Sequence, residues 1–310
     1  LPTRNMMFCT DDKHIEDIRR EGHINANARM AVAAGIDPID AIKMASYNAA
    51  RAYGIRGVGA IAPGYKADMV LLEDLKDFKV KQVISRFGRP YTGEEQIPSP
   101  ILPPQVFNSV RLPEISKYDL ALRCHVSAPV IKMIPHQLVT ELVYRDVERD
   151  ENGCFIPSEG MVKLAVIERH HATGSMAVGI LEGLGIKHGA VASTVAHDSH
   201  NLVVAGDNDE DMLMAIESLR DCGGGYSVVS RGVVLARLPL PIAGLMTAAP
   251  VNDVLEIQQA LLDALYSLGA KRDSDPLIAL SFMALPVIPA VKLTDEGLFD
   301  AVNFKFIKYN

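Results

Sequence analysis

Residues 163–205, KLAVIERHHATGSMAVGILEGLGIKHGAVASTVAHDSHNLVVA, decide the fold class of the second half of the chain. Three short apolar runs in this stretch, 163–168, 190–196 and 201–205, predict buried β-strands. The longer run 172–184, closed by a glycine, predicts a helix. Strands that alternate with helices in this way predict an α/β domain.

The sequence beyond this stretch continues the same pattern. Asp207 with Glu210 three residues later predicts a capping box, and an apolar stripe at helical spacing follows it. The three glycines at 223–225 follow this predicted helix instead of preceding one, which favours a helix end over a phosphate-binding loop. A hairpin over 226–238 and an amphipathic helix over 254–268 extend the predicted domain.

The first third of the chain has a different character. An apolar run at 6–9 predicts a buried strand, and a helix in two pieces is predicted over 15–34. Another helix begins at Asp37-Pro38, where an N-cap aspartate precedes a proline at the first helical position. Glycines and prolines then separate short apolar runs, which predicts strands and turns, and the proline-rich stretch 91–113 is predicted to be a linker.

Composition excludes several classes of protein. The 310 residues are 48% hydrophobic and 22% charged, as in globular proteins, and no run approaches the roughly 18 apolar residues that a membrane span needs. A net charge of −7 without a basic block argues against a nucleic-acid-binding protein. The four cysteines are scattered and form no C-x-x-C pair, which predicts free thiols in the cytoplasm.

Two adjacent acids, Asp11 and Asp12, follow the predicted strand at 6–9. In barrel enzymes the carboxyl ends of the strands form the catalytic face, so these carboxylates are candidate metal ligands. Because neighbouring residues on a strand point in opposite directions, only one of them is expected to bind directly. The alternative is that they cap the next helix. His14 and His23 flank this region and are candidates for the same site, against ordinary surface or capping roles.

Two polar clusters follow predicted strands in the second half of the chain. They are Glu168-Arg169-His170-His171 and His197-Asp198-Ser199-His200. The carboxyl ends of strands collect ligand-binding groups in α/β sheets, so we expect both clusters to lie close together at the ends of neighbouring strands. Imidazole and carboxylate groups suit several divalent metals. The alternative is that these polar turns hydrogen-bond to one another and hold the loops.

Six motifs together resemble one enzyme superfamily. The motifs FCTDDKH (8–14), EGHIN (21–25), ASYNAAR (45–51) and GAIAPGYKAD (59–68) resemble the carboxy-terminal part of amidohydrolase-superfamily enzymes. The motifs ERHHATG (168–174) and AHDSHN (196–201) resemble the extra C-terminal domain of the adenine deaminase family within that superfamily. The GAIAPGYKAD motif resembles the small β-sandwich domain that follows the barrel in many of these enzymes, so it indicates the superfamily and not the substrate, and the last two motifs narrow the resemblance to the family.

The resemblance implies an α/β protein of three parts. They are the last strand and helices of a metal-dependent (β/α)8 barrel over 1–53, a small β-sandwich segment with a linker over 54–112, and the C-terminal α/β domain specific to adenine deaminase over 113–310. The implied reaction is the hydrolytic deamination of adenine to hypoxanthine and ammonia, a step of purine salvage.

The resemblance also implies a metal centre. Asp11 matches the family's aspartate at the end of the eighth barrel strand, which binds the metal and accepts a proton from the attacking water. The implied cofactor is a binuclear manganese or iron centre, with zinc as a substitute. The superfamily's H-x-H motif and its other ligands have no counterpart in these residues, and one aspartate cannot hold a catalytic metal. We therefore expect the remaining N-terminal barrel segment in a separate or cleaved chain, or in a longer gene product, and an isolated chain that is inactive.

The remaining polar and apolar residues are also expected to have roles in such an enzyme. Asp12 is expected to support Asp11 or to cap a helix. The residues expected to form a lid over the pocket above Asp11 are Glu168, Arg169, His170, His197, Asp198 and His200. Apolar segments after residue 238 predict a homo-oligomer. Two alternatives stay open: a non-catalytic purine-binding or assembly module, and an amidohydrolase that acts on another cyclic amide or aminopurine.

Overall fold

The computed structural model describes residues 2–85, 88–91, 101–107, 109–158, 160–272 and 275–309. The chain forms two compact units, Leu1–Ser99 and Pro100–Asn310. The division predicted from the sequence, with boundaries after residues 53 and 112, stays a prediction. Most of the predicted linker, residues 92–100, lies outside the described residues.

The first unit is helical at its start and ends in a small sheet. Its elements are a 3₁₀-helix at Thr3–Asn5, helices α1 (Ile15–Glu21), α2 (Ile24–Ala33), α3 (Pro38–Ala45) and α4 (Tyr47–Ala52), and strands β1 (Met69–Leu72), β2 (Val80–Ser85) and β3 (Arg89–Pro90). The strands pair antiparallel in the order β1-β2-β3. Asp37 caps α3 as predicted, because its carboxylate accepts hydrogen bonds from the backbone N–H groups of Ile39 and Asp40.

The prediction of a strand at residues 6–9 is wrong, because residues 6–10 belong to no sheet in the part of the unit that the structure describes. The segment is instead held against helices. Phe8 donates its backbone N–H to the carbonyl of Met44 at 3.1 Å, and its side chain packs on the cluster that contains Ala28 and Ala41. An apolar run becomes a strand only where another strand supplies backbone partners.

The second unit is built around one large sheet. The strands of this unit are β4 (Ser127–Met133), β5 (Thr140–Asp146), β6 (Met161–Ile167), β7 (Met176–Glu182), β8 (Ala190–Ser193), β9 (Leu202–Gly206), β10 (Gly225–Ser230), β11 (Val233–Pro239), β12 (Val291–Thr294), β13 (Gly297–Asp300) and β14 (Lys305–Ile307). The last three of these strands form a separate small sheet in the order β12-β13-β14. The helices of this unit are α5 (Asp209–Cys222), α6 (Val251–Ser267) and α7 (Pro276–Ser281), and a 3₁₀-helix covers Pro104–Phe107. The mixed α/β class is therefore confirmed.

The large sheet has eight strands in the order β11-β10-β8-β9-β6-β7-β4-β5. Every neighbouring pair is antiparallel except β4 and β7, which run parallel. Strands β6 and β8 therefore run in the same direction on either side of β9, and they finish at one end of the sheet, which we call the motif end. Strands β4 and β7 finish at the opposite end, which we call the cleft end.

Both faces of the large sheet are covered. On β6, Val162, Leu164 and Val166 pack in a cluster with α6, α7 and strands β12 and β13. The alternate residues Ala165 and Ile167 pack in a second cluster with α5. A strand that is buried on both faces reads as a continuous apolar run, which is why β6 was recognisable without an alternating pattern. No helix in the described part of the chain is long and apolar enough to cross a membrane.

The helix predicted at 172–184 is wrong: this segment contains β7, which pairs antiparallel with β6 along seven residues. Tertiary contacts decide the outcome. Gly179 lies against Tyr309, where a Cβ would come within 3.0 Å of the hydroxyl oxygen, and the backbone N–H of Ile180 donates to that oxygen at 3.0 Å. An apolar run alone does not distinguish a buried strand from a buried helix.

The other local predictions for this unit are confirmed with one correction. Strands β10 and β11 form the predicted hairpin, and Gly223 ends α5 in the left-handed conformation with φ +78°. The N-cap of α5 is Asn208, not Asp207, because the Asn208 side chain accepts a hydrogen bond from Asp211 N at 2.8 Å. The Asp207 carboxylate accepts instead from the backbone N–H groups of residues 188 and 189, at 2.5 and 2.9 Å.

Candidate functional site

Asp11 and Asp12 lie on an exposed turn between residues 6–10 and helix α1. Asp11 adopts a positive φ of 55°, a conformation that aspartate tolerates better than most residues. The preceding residue is anchored, since Thr10 Oγ1 lies 3.2 Å from His23 Nε2. His14 occupies the N-cap position of α1, so Asp12 does not stand at the cap position that was predicted as one of its roles.

The loop around these acids is fixed to the start of α2. Asn27 donates its side-chain N–H to the carbonyl of Cys9 at 2.8 Å, and Lys13 Nζ donates to the carbonyl of Gly22 at 3.0 Å. Lys13 also pairs with Glu21 at 3.1 Å. These contacts hold the backbone on both sides of Asp11 while its carboxylate stays exposed.

The residues present fit one ligand of a metal centre. The described residues contain no group of three or more His, Cys, Asp or Glu side chains arranged to hold a metal ion. Asp11 offers one exposed carboxylate, and carboxylate oxygen is a ligand that manganese, iron and zinc all accept. Asp11 can therefore contribute one oxygen ligand to a metal site that other residues would complete.

The two polar clusters of the second unit meet at the motif end of the large sheet, as predicted. Arg169 Nε donates to the carbonyl of His200 at 2.6 Å, and His170 Nε2 lies 2.8 Å from the carbonyl oxygen of Ser199. Because that oxygen can only accept, the proton of the His170 ring is on Nε2. The predicted reason needs one correction, since the clusters follow β6 and β8, which are separated by β9 instead of adjacent.

Glu168 organises the first cluster through its carboxylate. It accepts hydrogen bonds from the backbone N–H groups of His170, His171 and Thr173, at 2.5, 2.9 and 3.1 Å, and from the Thr173 hydroxyl at 3.1 Å. Burial opposes ionisation of Glu168, but the hydrogen bonds outweigh it and lower its pKa to about 2. The ionised side chain therefore holds the β6–β7 turn together.

Arg169 is a buried clamp between three loops. Only 1% of the residue is exposed. Besides its bond to His200, its Nη2 donates to the carbonyl of Ala243 at 3.1 Å, and its own carbonyl accepts from Arg111 N at 2.7 Å. Gly244 makes room for it, because a Cβ there would lie 2.8 Å from Nη1. Glu168 and Arg169 thus agree with the alternative that the polar turns hold the loops.

The second cluster presents its polar groups differently. The His197 ring packs on Phe282 with centroids 4.6 Å apart and lies 5.9 Å from the His200 ring, while Asp198 is exposed. Burial, followed by the nearby His197 ring and Arg169, lowers the pKa of His200, which favours the neutral imidazole at pH 7. His200 Nδ1 is buried without a hydrogen-bond partner among the residues that the structure describes.

Asp295, which no sequence pattern indicated, joins the loops that follow β6 and β8, which we call the motif loops. Its carboxylate accepts from the Ser175 hydroxyl at 2.8 Å and from the Asn201 side-chain N–H at 3.0 Å. Asp295 lies in the turn between β12 and β13, far along the chain from both loops. No local pattern marks such a residue, because its role depends on three segments that meet only in the fold.

Both parts of the chain match known protein families. Residues 137–305 match the Adenine deaminase C-terminal domain, and residues 3–89 match the Amidohydrolase family. Among curated relatives, a protein named adenine deaminase from Nitratidesulfovibrio vulgaris (strain DP4) is 48% identical over 98% of this chain and 53% of its own length. An adenine deaminase from Desulfitobacterium hafniense (strain Y51) is 43% identical over 100% of this chain and 54% of its own length.

A third relative, named adenine deaminase 2, comes from Carboxydothermus hydrogenoformans and is 45% identical over 97% of this chain and 53% of its own length. The chain therefore spans about half the length of the curated relatives that it matches. The similarity covers both compact units, including Asp11 and the two polar clusters.

Proposed function

The chain belongs to the adenine deaminase C-terminal domain family, and on that premise we propose that it forms part of an enzyme that converts adenine and water to hypoxanthine and ammonia in purine salvage. One observation carries the proposal: relatives named adenine deaminase are 43–48% identical over 97–100% of this chain. The proposed parts are a barrel end over 1–53, a β-sandwich segment with a linker over 54–112, and the family's C-terminal domain over 113–310.

In this proposal Asp11 binds a divalent metal and holds the proton that the attacking water gives up. Its exposed carboxylate on an anchored turn supports this role. A metal ion, when bound, supplies a water that is acidic enough to react near neutral pH. We propose a binuclear manganese or iron centre, for which zinc can substitute. The part of the relatives' length that this chain does not span would provide the other ligands.

The motif end of the large sheet is proposed to close the substrate pocket of the full-length enzyme. Two observations support the role. Arg169 donates a hydrogen bond to the His200 carbonyl and so holds the backbone at this position, and the buried His200 Nδ1 has no partner among the described residues. Asp198 is exposed beside it. A closing loop excludes water and orients the substrate without binding the metal. His14, His23 and Asp12 are proposed to line the same pocket.

The role of Asp11 is tested in the full-length enzyme with Asp11→Asn and its neighbour Asp12→Asn as the matched control. We expect Asp11→Asn to lower kcat by several orders of magnitude and to lower metal content, because it removes a ligand and a proton acceptor together. Asp12→Asn should retain most of both. The reverse result would assign the metal to Asp12.

The closing role is tested with His200→Ala, and His125→Ala serves as a control at an exposed histidine. We expect His200→Ala to change kcat and KM together while metal content stays the same, and His125→Ala to change none of them. The lid role is wrong if the side chains of His197 and His200 lie more than about 11 Å, two helical turns, from every barrel-end residue of the full-length enzyme.

We further propose that the 310-residue chain alone neither binds a stoichiometric metal nor deaminates adenine. Turnover by the homogeneous chain would contradict this. Retained purine binding without turnover in the full-length protein would favour the alternative of a non-catalytic module, and preference for another cyclic amide or aminopurine would change the substrate.

The proposed setting is a cytoplasmic homo-oligomer. The four free thiols, one of them exposed, support a reducing compartment. Exposed apolar side chains near the end of the chain, including Val302, Phe304 and Phe306, support an interface between copies.

A further inference from the structure

The turn that carries Asp11 is attached on both sides to one short segment, residues 21–27, which we call the platform. The platform joins the end of α1 to the start of α2. Before the turn, the Cys9 carbonyl accepts a hydrogen bond from the Asn27 side chain at 2.8 Å. After the turn, Lys13 Nζ donates to a platform carbonyl at 3.0 Å. The position of Asp11 therefore depends on the platform.

The attachment closest to Asp11 is made by His23. Its Nε2 lies 3.2 Å from the hydroxyl oxygen of Thr10, the residue directly before Asp11. The backbone from which the ring extends is itself held, because the His23 N–H donates to Asn25 Oδ1 at 2.9 Å and the His23 carbonyl accepts from Ala26 N at 3.0 Å. The imidazole thus connects the turn to the first residues of α2.

The platform is fixed within the first unit by the residues around His23. Gly22 has a positive φ of 98°, and a Cβ at this position would lie 2.5 Å from Asn25 Oδ1. Asn25 also donates to the carbonyl of Phe78, a residue that is buried in the core of this unit. The glycine and the asparagine therefore set the backbone, and His23 is the residue of this motif whose ring meets Thr10.

The hydrogen bond between His23 and Thr10 matters for geometry more than for stability. It lies at the surface, where water competes for both groups, so it contributes little to folding. Asp11, however, adopts a φ of 55°, a conformation that an L-residue holds only where its neighbours constrain it. A metal ligand must be placed within about 0.2 Å of its proper distance. A loose turn would not hold the carboxylate that closely.

We propose that His23 is a positioning residue, which directs the Asp11 carboxylate toward the metal by holding Thr10. The proposal rests on the proposed function, in which Asp11 is a metal ligand. In this role His23 acts through Thr10 and does not bind the metal itself. Side chains that orient a metal ligand typically affect metal affinity by about 10-fold to 100-fold when they are removed.

Manganese titration of the metal-free full-length enzyme, in competition with a chelator, tests the proposal with matched variants. Thr10→Val keeps the shape of the side chain and removes the hydroxyl, whereas Thr10→Ser keeps the hydroxyl. We expect Thr10→Val and His23→Ala each to weaken Mn²⁺ binding by about tenfold. Thr10→Ser should restore wild-type affinity to within about twofold. His125→Ala, at an exposed histidine of the second unit, should leave it unchanged.

The double variant distinguishes positioning from direct binding. If His23 acts through Thr10, Thr10→Val combined with His23→Ala should bind Mn²⁺ about as weakly as either single variant. Independent effects would multiply instead, to a loss of about a hundredfold. For the same reason, each single variant should lower kcat at a limiting Mn²⁺ concentration while the KM for adenine stays within about twofold.

Nitrogen-15 relaxation of the 310-residue chain gives a readout that needs neither metal nor adenine. The backbone order parameters of residues 10–13 should be near 0.85 in the wild-type chain, as in rigid backbone. They should fall below about 0.6 in Thr10→Val and in His23→Ala, and Thr10→Ser should keep the wild-type values. Circular dichroism checks that these surface substitutions retain the fold.

The proposal is overturned if Thr10→Val and His23→Ala leave Mn²⁺ affinity unchanged, if Thr10→Ser is as damaging as Thr10→Val, or if the two losses multiply. It is also overturned if affinity falls while the order parameters of the turn do not. Failure of the proposed function has a different signature, which is absence of adenine turnover by the wild-type full-length enzyme. The Mn²⁺ and relaxation measurements contain no adenine and would still decide the role of His23.

Discussion

Replacement of Lys292 by methionine should stabilise the second unit at pH 7. Lys292 is fully buried in β12, where its Nζ donates one hydrogen bond to the Leu138 carbonyl. Burial lowers the pKa of this lysine from 10.5 to about 8. At pH 7 the folded protein therefore holds a buried ammonium ion, which water would solvate far better than the protein interior does. Methionine keeps the length and apolar stem of the side chain and removes the charge.

The lowered pKa gives the size of the effect. At about 1.4 kcal/mol for each tenfold change in proton affinity, keeping Lys292 charged at pH 7 costs about 3 kcal/mol of folding free energy. The variant also leaves the Leu138 carbonyl without its donor, which costs about 1 kcal/mol. We therefore expect Lys292→Met to raise the free energy of unfolding by about 2 kcal/mol at pH 7.

The pH dependence provides the sharper test. The penalty is fully present below pH 8, where the folded and unfolded chains both hold the proton of Lys292. Between about pH 8 and 10.5 the unfolded chain binds more protons, so wild-type stability rises with pH relative to the variant. The advantage of Lys292→Met should therefore shrink across this range and vanish near its upper end.

Urea unfolding at pH 7 and at pH 10, followed by circular dichroism, measures the difference between the two proteins at each pH. Lys305→Met, at an exposed lysine of β14, is the matched control and should show no pH-dependent difference. A destabilised Lys292→Met at pH 7, or a difference that stays constant from pH 7 to pH 10, would refute the reasoning.

Two further predictions concern the motif end. Glu168→Gln should lower the free energy of unfolding by about 1 kcal/mol at pH 7, a value discounted for solvent screening, because the amide is a weaker acceptor for the loop N–H groups. Since folding lowers the pKa of Glu168 to about 2, wild type should lose this contribution as the pH falls from 4.5 toward 2, which acid titration of the two proteins would show. Asp295→Ala should speed hydrogen exchange in both motif loops while β4 and β5 keep their protection; unchanged exchange in the loops would contradict the bridging role.

The sequence predicted those elements of the second unit whose signals are local. Strands β6, β8 and β9 are short apolar runs bounded by turns, and α5 ends at Gly223 because a left-handed residue is needed there. Strand β7 was misread as a helix because its residues are apolar on both sides. Its pairing with β6 and its contact with Tyr309, more than a hundred residues away, decide its structure, and neither is visible in a local window.

The residues of the candidate site could be predicted from the sequence, but their individual roles could not. Strand ends predicted that the two clusters would meet, and the hydrogen bond from Arg169 to His200 confirms it. The same pattern could not tell which polar groups are used inside the protein. The Glu168 carboxylate accepts hydrogen bonds from backbone N–H groups, whereas Asp198 is exposed. This difference depends on the conformation of each loop. Asp295 had no local signal at all.

The two ends of the large sheet are separated by the length of its strands. Strand β7 begins beside the Glu168 turn and ends at Glu182 at the cleft end, and its seven residues span about 24 Å at 3.4 Å each. Residues at the cleft end therefore do not contact the motif loops. Both faces of the connecting strands are packed, so a displacement at one end meets a close-packed core before it reaches the other. The effects of Glu182→Gln and His200→Ala on the free energy of unfolding should accordingly be additive, and a departure from additivity beyond about 0.5 kcal/mol would mean that the sheet couples its two ends.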